Sequence, residues 1–221
     1  MCGSYFYTFF LALLDDRSNM QRIMSEKPTR ERILEAAEEL MLERSFHAVG
    51  LKQLLEAVQV PKGSFYHYFE SKEQFGIEMM KHYMAEASAH KRSFMLNRKR
   101  EPDALKRLFN YLEGSIAFME KNPGKFPCLA IKLGNEISEI SEGMREELIK
   151  GFNDWISIYR EVLDDAVNAG QLPADFDTAA EAALIQDHWA GAAQRAVIFR
   201  SPEPVRHTVD QIKARIKKHM N

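Results

Sequence analysis

The fourteen residues from Val60 to Glu73 constrain the fold of this chain more than any other segment. Pro61 and Gly63 mark the end of one helical pattern and the start of another. Phe65 and Phe69 are four residues apart, so they share one face and can anchor a short helix in a core. The other residues of that helix carry hydroxyl, imidazole and ammonium groups. Such a helix suits a phosphate-lined groove.

The residues upstream of this segment predict two further helices. An apolar stripe with a period near 3.6 residues runs from Thr29 to Arg44. A second amphipathic pattern of two turns precedes the connector at Gln59 and Val60. Its apolar positions are Leu51, Leu54, Leu55 and Val58. Three helices that close one small core, with the third exposed, predict a helix-turn-helix module that reads DNA.

The segment from about Thr29 to Gln74 resembles the N-terminal domain of TetR-family transcriptional repressors. The resemblance is carried by the run from Pro61 to Phe69 and by Ser71-Lys72-Glu73 after it. It implies a homodimeric repressor that binds a palindromic double-stranded operator and is released by a small-molecule effector. It also implies two sets of DNA contacts. The residues that read bases or pack against the groove are Lys62, Gly63, Ser64 and His67. The residues that contact phosphates are Tyr66, Tyr68 and Lys72.

Two positions depart from the family pattern. Ala48-Val49-Gly50 stands where the family often has a threonine, so phosphate contact there would rest on backbone N–H groups at the start of the second helix. Gln59 stands where the family often has glycine, and a positive φ there would cost about 1 kcal/mol or more. We therefore expect the turn to differ slightly. The alternative for Tyr66 and Tyr68 is burial with a satisfied hydroxyl, but one face of so short a helix is already filled by phenylalanine.

Composition sets limits on the fold and on how DNA is bound. The 221 residues are 45% hydrophobic, enough for a sizeable core and one or two domains. Net charge is −2 and the isoelectric point is about 6.4, which excludes binding by bulk positive charge. Binding would depend on a few placed cations and would be salt-sensitive. The helical spacing predicts an all-α fold of about nine helices. The family resemblance implies that residues 25–72 form the DNA-binding domain and that residues 73–221 form an effector-binding and dimerisation domain.

Residues 1–24 do not fit this pattern. The apolar run from Tyr5 to Leu14 is too short to span a membrane, and a convincing signal peptide is missing. We interpret the segment as an over-called start, with translation beginning at Met24, or else as a short extra helix. The rest of the sequence contains no candidate membrane segment, which predicts a cytoplasmic protein without a membrane partner.

Cys128 is the second point of chemical interest. The other cysteine is Cys2, so the sequence excludes an intrachain disulfide framework. Cys128 follows Pro127 at a predicted helix start, and Lys132 comes one turn later. The helix dipole and the lysine would both favour the thiolate. The run from Cys128 to Leu133, with Glu136 and the run from Ser141 to Arg145, resembles an electrophile-sensing branch of the TetR family. This resemblance implies that Cys128 is a redox or electrophile sensor. The alternative is a small buried hydrophobe.

A competing hypothesis is reversible binding of an apolar or aromatic effector between helices. Candidate effector or sensor residues under the two hypotheses are Cys128, Lys132, Trp155, Tyr159, His188 and Trp189. In the family the last two helices usually dimerise. Small residues from Ala182 to Ala196 would permit close helix approach, and packing within the chain is the alternative.

An enzyme is the hypothesis from a different class. The sequence shows no glycine-rich phosphate loop, metal-ligand spacing or paired-carboxylate motif, and histidine is not close to Cys128. We therefore predict no catalytic residue, no metal and no cofactor. The remaining alternatives are a thiol-dependent enzyme acting on electrophiles and an architectural DNA-binding protein without an effector.

Overall fold

A computed structural model describes residues 28–220, and all regular structure in that range is α-helical. The prediction of an all-α fold is confirmed. Residues 1–24, for which the sequence left two interpretations, lie outside the described residues. The helices of the described range are α1 (Thr29–Glu43), α2 (Leu51–Val58), α3 (Lys62–Tyr68), α4 (Lys72–Met95), α5 (Ala104–Lys121), α6 (Leu129–Ile140), α7 (Glu142–Asn168), α8 (Thr178–Phe199) and α9 (Glu203–Lys217).

The chain forms two compact units. The first contains the described part of Met1–Ala87 and Cys128–Gly151, and the second contains Ser88–Pro127 and the described part of Phe152–Asn221. Two of the three borders between the units fall inside α4 and α7, and the third lies between Pro127 and Cys128. The predicted division between residues 72 and 73 stays a prediction. Within residues 28–220, none of the helices has the length and apolar character needed to cross a bilayer.

Three phenylalanine rings hold α3 in the first unit. Phe65, Phe69 and Phe75 are each almost fully buried, and their ring centroids lie 5.1–5.3 Å apart. Burial of a phenylalanine side chain contributes about 1.5–3 kcal/mol. The predicted core position of Phe65 and Phe69 is confirmed, and it leaves the other faces of α3 free of the core.

The turn between α2 and α3 keeps a left-handed residue. Gln59 has φ 54° and ψ 43°, and the Val60 N–H donates to the Leu55 carbonyl at 3.0 Å. This six-to-one bond closes α2 as a glycine would. The expectation of an altered turn is therefore wrong. The buried side chains of Val58 and Val60 flank the turn and offset a strain of about 1 kcal/mol.

In the second unit α8 packs on α9, and α9 packs on α5. The small residues of α8 are buried inside the single chain, so they serve packing within the chain, as in the alternative given above. They are Ala182, Ala192, Ala193 and Ala196. Glu181 on α8 receives bidentate hydrogen bonds from Arg215 on α9 at 2.8–3.1 Å. The large apolar side chains that α8 leaves exposed are Leu184, Ile198 and Phe199.

Candidate DNA-binding surface and cysteine site

The predicted DNA-contact residues lie on the outer face of α3 and at the start of α4. Tyr66 is 54% exposed and Tyr68 36% exposed, so the alternative of buried tyrosines does not describe them. Ser64 is partly buried. The other residues of the set are exposed, and they are Lys62, Gly63, His67 and Lys72. Their contact with DNA stays a prediction.

Lys72 is held beside the start of α2. Its ammonium donates to the Val49 carbonyl oxygen at 3.4 Å and lies 5.1 Å from the centre of the Phe46 ring. Gly50 is the N-cap of α2 and offers no side-chain cap. A lysine ammonium therefore stands next to the uncapped N–H groups of a helix start, a combination that attracts phosphate.

The fold does not require a glycine at position 63. A Cβ built there meets no atom within 4 Å, and the backbone φ is not in the left-handed region. The absent side chain leaves the first turn of α3 smooth on its exposed side. Close approach of another molecule to the backbone is the physical use of such a glycine.

Gly63→Ala is expected to keep or slightly raise stability, because alanine is the better helix former by up to about 1 kcal/mol. The same change should weaken DNA binding about tenfold, equivalent to about 1.4 kcal/mol, because the methyl group enters the proposed interface. Thermal unfolding and gel shift measure the two effects. Gly134→Ala on α6, where a Cβ also meets nothing within 4 Å, is the matched control. Unchanged DNA binding by Gly63→Ala would contradict close contact at α3.

Cys128 is the N-cap of α6 and is 3% exposed. The Tyr83 hydroxyl lies 3.5 Å from its Sγ and donates to it, and the Leu129 N–H donates to the same hydroxyl oxygen at 3.0 Å. Burial raises the pKa of Tyr83 well above its usual value, and Cys128 adds to this effect. Tyr83 is therefore a neutral donor at the start of α6. The predicted position of Cys128 at a helix start is confirmed.

Lys132 holds the end of α1. Partial burial lowers its pKa, and Glu43 and Glu136 oppose this effect. Carbonyl groups at a helix C-terminus lack partners within the helix, and an ammonium satisfies them. Whether Lys132 also favours a thiolate at Cys128 stays a prediction. Its Nζ donates to the carbonyl oxygens of Met41, Leu42 and Arg44 at 2.8, 2.5 and 3.1 Å.

Glu136 holds the loop between α1 and α2. Its carboxylate accepts the backbone N–H groups of Phe46 and His47 at 3.1 and 2.9 Å, and it pairs with the His47 ring at 3.0 Å. Burial alone would raise the pKa of Glu136, but the bonds from His47 and Phe46 outweigh it and the pKa is lowered. Sequence reasoning did not select Glu136 as a site residue. Its spacing of four from Lys132, which puts both on one helix face, was the available signal.

The remaining effector candidates belong to the second unit. Trp155 and Tyr159 on α7 are buried, and Trp189 on α8 is partly buried. All three rings face the ammonium of Lys91, which the sequence had not indicated. His188 is exposed on α8 and lies outside that cluster's contacts. Within the described residues, acidic, histidine and cysteine side chains form no group able to hold a metal ion.

A buried three-helix core, a tight turn and an exposed polar α3 define a helix-turn-helix DNA-binding protein. Residues 33–79 match the family described as bacterial regulatory proteins, tetR family, and residues 104–212 match the tetracyclin repressor-like C-terminal domain. The transcriptional repressor NemR of Escherichia coli K12 is 34% identical over 86% of this chain and 94% of its own length. The chain belongs to the TetR family of transcriptional regulators.

Other relatives agree with this assignment. The transcriptional regulator AcuR of Cereibacter sphaeroides is 31% identical over 78% of both chains. The crystal structure of the reduced form of E. coli NemR superposes with a TM-score of 0.75, at 31% identity, over 88% of this chain and 98% of that one. A TetR regulatory protein from Rhodobacter sphaeroides superposes with a TM-score of 0.71 at 28% identity, over 86% and 97%.

Proposed function

We propose that this TetR-family regulator is a homodimeric repressor that leaves a palindromic operator when an electrophile or oxidant modifies Cys128. One observation carries the proposal: α6 begins at Cys128 and, one and two turns later, Lys132 and Glu136 bond to the end of α1 and to the loop before α2. A displacement of the start of α6 therefore acts on the helices that position α3.

Operator binding would use the exposed face of α3 and the cation beside α2. Lys62 and Lys72 supply charge, and Tyr66, His67 and Tyr68 supply hydrogen-bonding groups. The contacts are few, so affinity falls with salt in proportion to the number of neutralised phosphates. A two-fold partner would place a second α3 about 34 Å away, one turn of DNA.

The exposed apolar residues of α8 support dimerisation. Leu184, Ile198 and Phe199 stay exposed although the small residues of the same helix are buried inside the chain. Large exposed apolar side chains on one helix are typical of an interface. His188 and Arg195 share the exposed side of α8 with Leu184, so we assign His188 to this interface and not to an effector site.

The chemical step modifies one sulfur. In the oxidation, a peroxide transfers one oxygen atom to the Cys128 thiolate, which becomes a sulfenic acid, and the peroxide is reduced to water. The alternative step is alkylation. The Cys128 thiolate adds to an electrophilic carbon, a new C–S bond forms, and a proton from water ends on the former electrophile. Cys128 is 3% exposed and its sulfur lies against the Tyr83 hydroxyl, so the added group has no room there. Because close-packed interiors relax by shifting whole elements, the start of α6 moves.

Alkylation by N-ethylmaleimide tests the sensor. The full chain should release operator DNA after treatment. Cys128→Ser should stay bound, and its operator affinity should be the same before and after treatment. Gel shift measures both. Cys2→Ser is the matched control, because it removes the chain's other cysteine and should respond as the parent does. Release from Cys128→Ser after alkylation would overturn the sensor.

A second effector function is supported by the cluster in the second unit. Trp155, Tyr159 and Trp189 surround Lys91, which suits reversible binding of an apolar or aromatic molecule. Cys128 would then be structural. In either case we infer a cytoplasmic regulator without catalytic activity or cofactor, as expected for a protein whose relatives are transcriptional regulators.

A further inference from the structure

Lys91 on α4 lies inside a cage of four aromatic rings in the second unit. Lys91 is 6% exposed. Its ammonium lies 4.7 Å from the centre of the Trp155 ring, 4.8 Å from that of Tyr111, 5.2 Å from that of Tyr159 and 5.8 Å from that of Trp189. It donates to the hydroxyl oxygens of Tyr111 at 2.9 Å and Tyr159 at 3.4 Å. We call these five residues the Lys91 cage.

Within the described part of the chain, the positive charge in the cage has no carboxylate partner. None of the ion pairs formed within residues 28–220 includes Lys91. The same unit treats its other buried charges differently, because Arg107 pairs with Asp165 and Glu181 pairs with Arg215. Ring faces and phenol oxygens stabilise an ammonium, but a buried charge without its counter-charge stays costly. An anion entering the cage would supply the missing charge.

One hydrogen-bond donor of the cage lacks an acceptor. The Nε1 atom of Trp155 is buried and has no hydrogen-bond partner among the residues that the structure describes. A buried N–H without an acceptor costs about 1–3 kcal/mol, so an acceptor that a ligand brings to it would be favourable. The indole of Trp155 is also the ring nearest to the Lys91 ammonium. The cage therefore combines an ammonium without a counter-charge and an indole N–H without an acceptor.

Part of the cage is exposed. Tyr111 and Trp189 are partly exposed, whereas Lys91, Trp155 and Tyr159 are buried. A small molecule can therefore meet the two outer rings before it meets the ammonium. The walls are aromatic, so they favour a planar apolar body, and the buried end favours a negative group.

We propose that the Lys91 cage binds a small aromatic carboxylate as the reversible effector of this regulator. The carboxylate pairs with the Lys91 ammonium and accepts the Trp155 N–H, and the ring of the ligand stacks among the cage walls. This inference rests on the second effector function proposed above and names its ligand class. A cationic ligand would face repulsion from Lys91, and a neutral one would leave its charge unpaired.

Tryptophan fluorescence reports directly on the cage, because the chain has two tryptophans and both belong to it. The full chain is titrated with benzoate, benzyl alcohol and benzyltrimethylammonium. Benzoate should give a saturable change with an affinity at least about tenfold above that of the other two, as charge-assisted bonds require. An equal response to benzyl alcohol or to the cation, or no saturable response to benzoate, would overturn the proposal.

Lys91→Met removes the charge and keeps the length of the side chain. It should weaken benzoate binding about tenfold or more. Lys213→Met is the matched control, because Lys213 also stands over a ring, that of Phe109 at 5.7 Å, but outside the cage. If Lys91→Met does not fold, Trp155→Phe decides the matter with Trp189 as the reporter. Unchanged benzoate affinity in Trp155→Phe or in folded Lys91→Met sinks the anion site.

Gel shift separates this inference from the proposed function. A chain that binds the DNA upstream of its own gene but shows no saturable benzoate signal retains the proposed repressor function and loses only the anion site. A chain that binds benzoate but no such DNA loses the repressor function and keeps the site. Benzoate that saturates the cage and lowers operator affinity supports both.

Discussion

Replacing Arg107 with methionine is expected to lower the free energy of unfolding by about 3–5 kcal/mol, the range seen when one partner of a buried ion pair is removed. Arg107 is 2% exposed. Its guanidinium donates to Asp165 at 2.6 Å and to the carbonyl oxygens of Met95, Glu101 and Pro102 at 2.6, 2.8 and 3.1 Å. Methionine fills similar space but leaves these acceptors without their donor.

The matched control for this change uses the same carboxylate. Arg98 also binds Asp165, with two bonds of 2.8 Å, but its side chain is 57% exposed. Water replaces exposed bonds at little cost, so Arg98→Met should be far milder. Urea unfolding followed by circular dichroism measures both variants. Equal losses in the two variants would show that burial of Arg107 does not set its contribution.

Lys132→Met is expected to lower the free energy of unfolding of the first unit and to reduce the change in operator affinity that thiol modification causes. The ammonium bonds three carbonyl oxygens at the end of α1, and hydrogen bonds to a charged group contribute about 1.5–3 kcal/mol. We expect a loss of that size in the free energy of unfolding. Because α1 is then no longer tied to α6, alkylation of Cys128 should change operator affinity at least about tenfold less than in the parent.

Lys150→Met is the control for Lys132→Met. Lys150 belongs to the same unit, but its side chain is 65% exposed and pairs with Glu147 within one turn of α7. It should leave stability and the alkylation response as in the parent. Urea unfolding and gel shift before and after N-ethylmaleimide give the two readouts. If Lys132→Met kept the full response to alkylation, the effect of Cys128 modification would not reach the DNA-binding helices through the end of α1.

Periodicity predicted the elements of the DNA-binding module well. The four-residue spacing of Phe65 and Phe69 assigned them to the core, and the exposure of Tyr66 and Tyr68 followed from it. The turn at Gln59 was harder to predict, because the free-energy cost of a positive φ argues against glutamine at a left-handed position. Tertiary packing of neighbouring valines decided in favour of it.

Two residues that connect distant segments, Glu136 and Lys91, were not selected from the sequence. The Glu136 carboxylate accepts hydrogen bonds from Phe46 and His47, which precede it by 90 and 89 positions in the sequence. The Lys91 ammonium contacts rings from α5, α7 and α8. Side chains of this kind look like ordinary solvated charges in a helical pattern. The alanines of α8 were ambiguous for a different reason, because their spacing fits packing against α9 as well as packing against a second copy of the chain.

The order of apolar and polar residues along the chain determined the helices, the aromatic anchor of α3 and the position of Cys128 at a helix start, because these depend on neighbours within four residues. Only the tertiary structure decided that α6 holds the end of α1 through Lys132 and the loop before α2 through Glu136, and that Lys91 is enclosed by rings. Such contacts depend on which helices meet, and helical periodicity specifies a buried face without specifying what covers it.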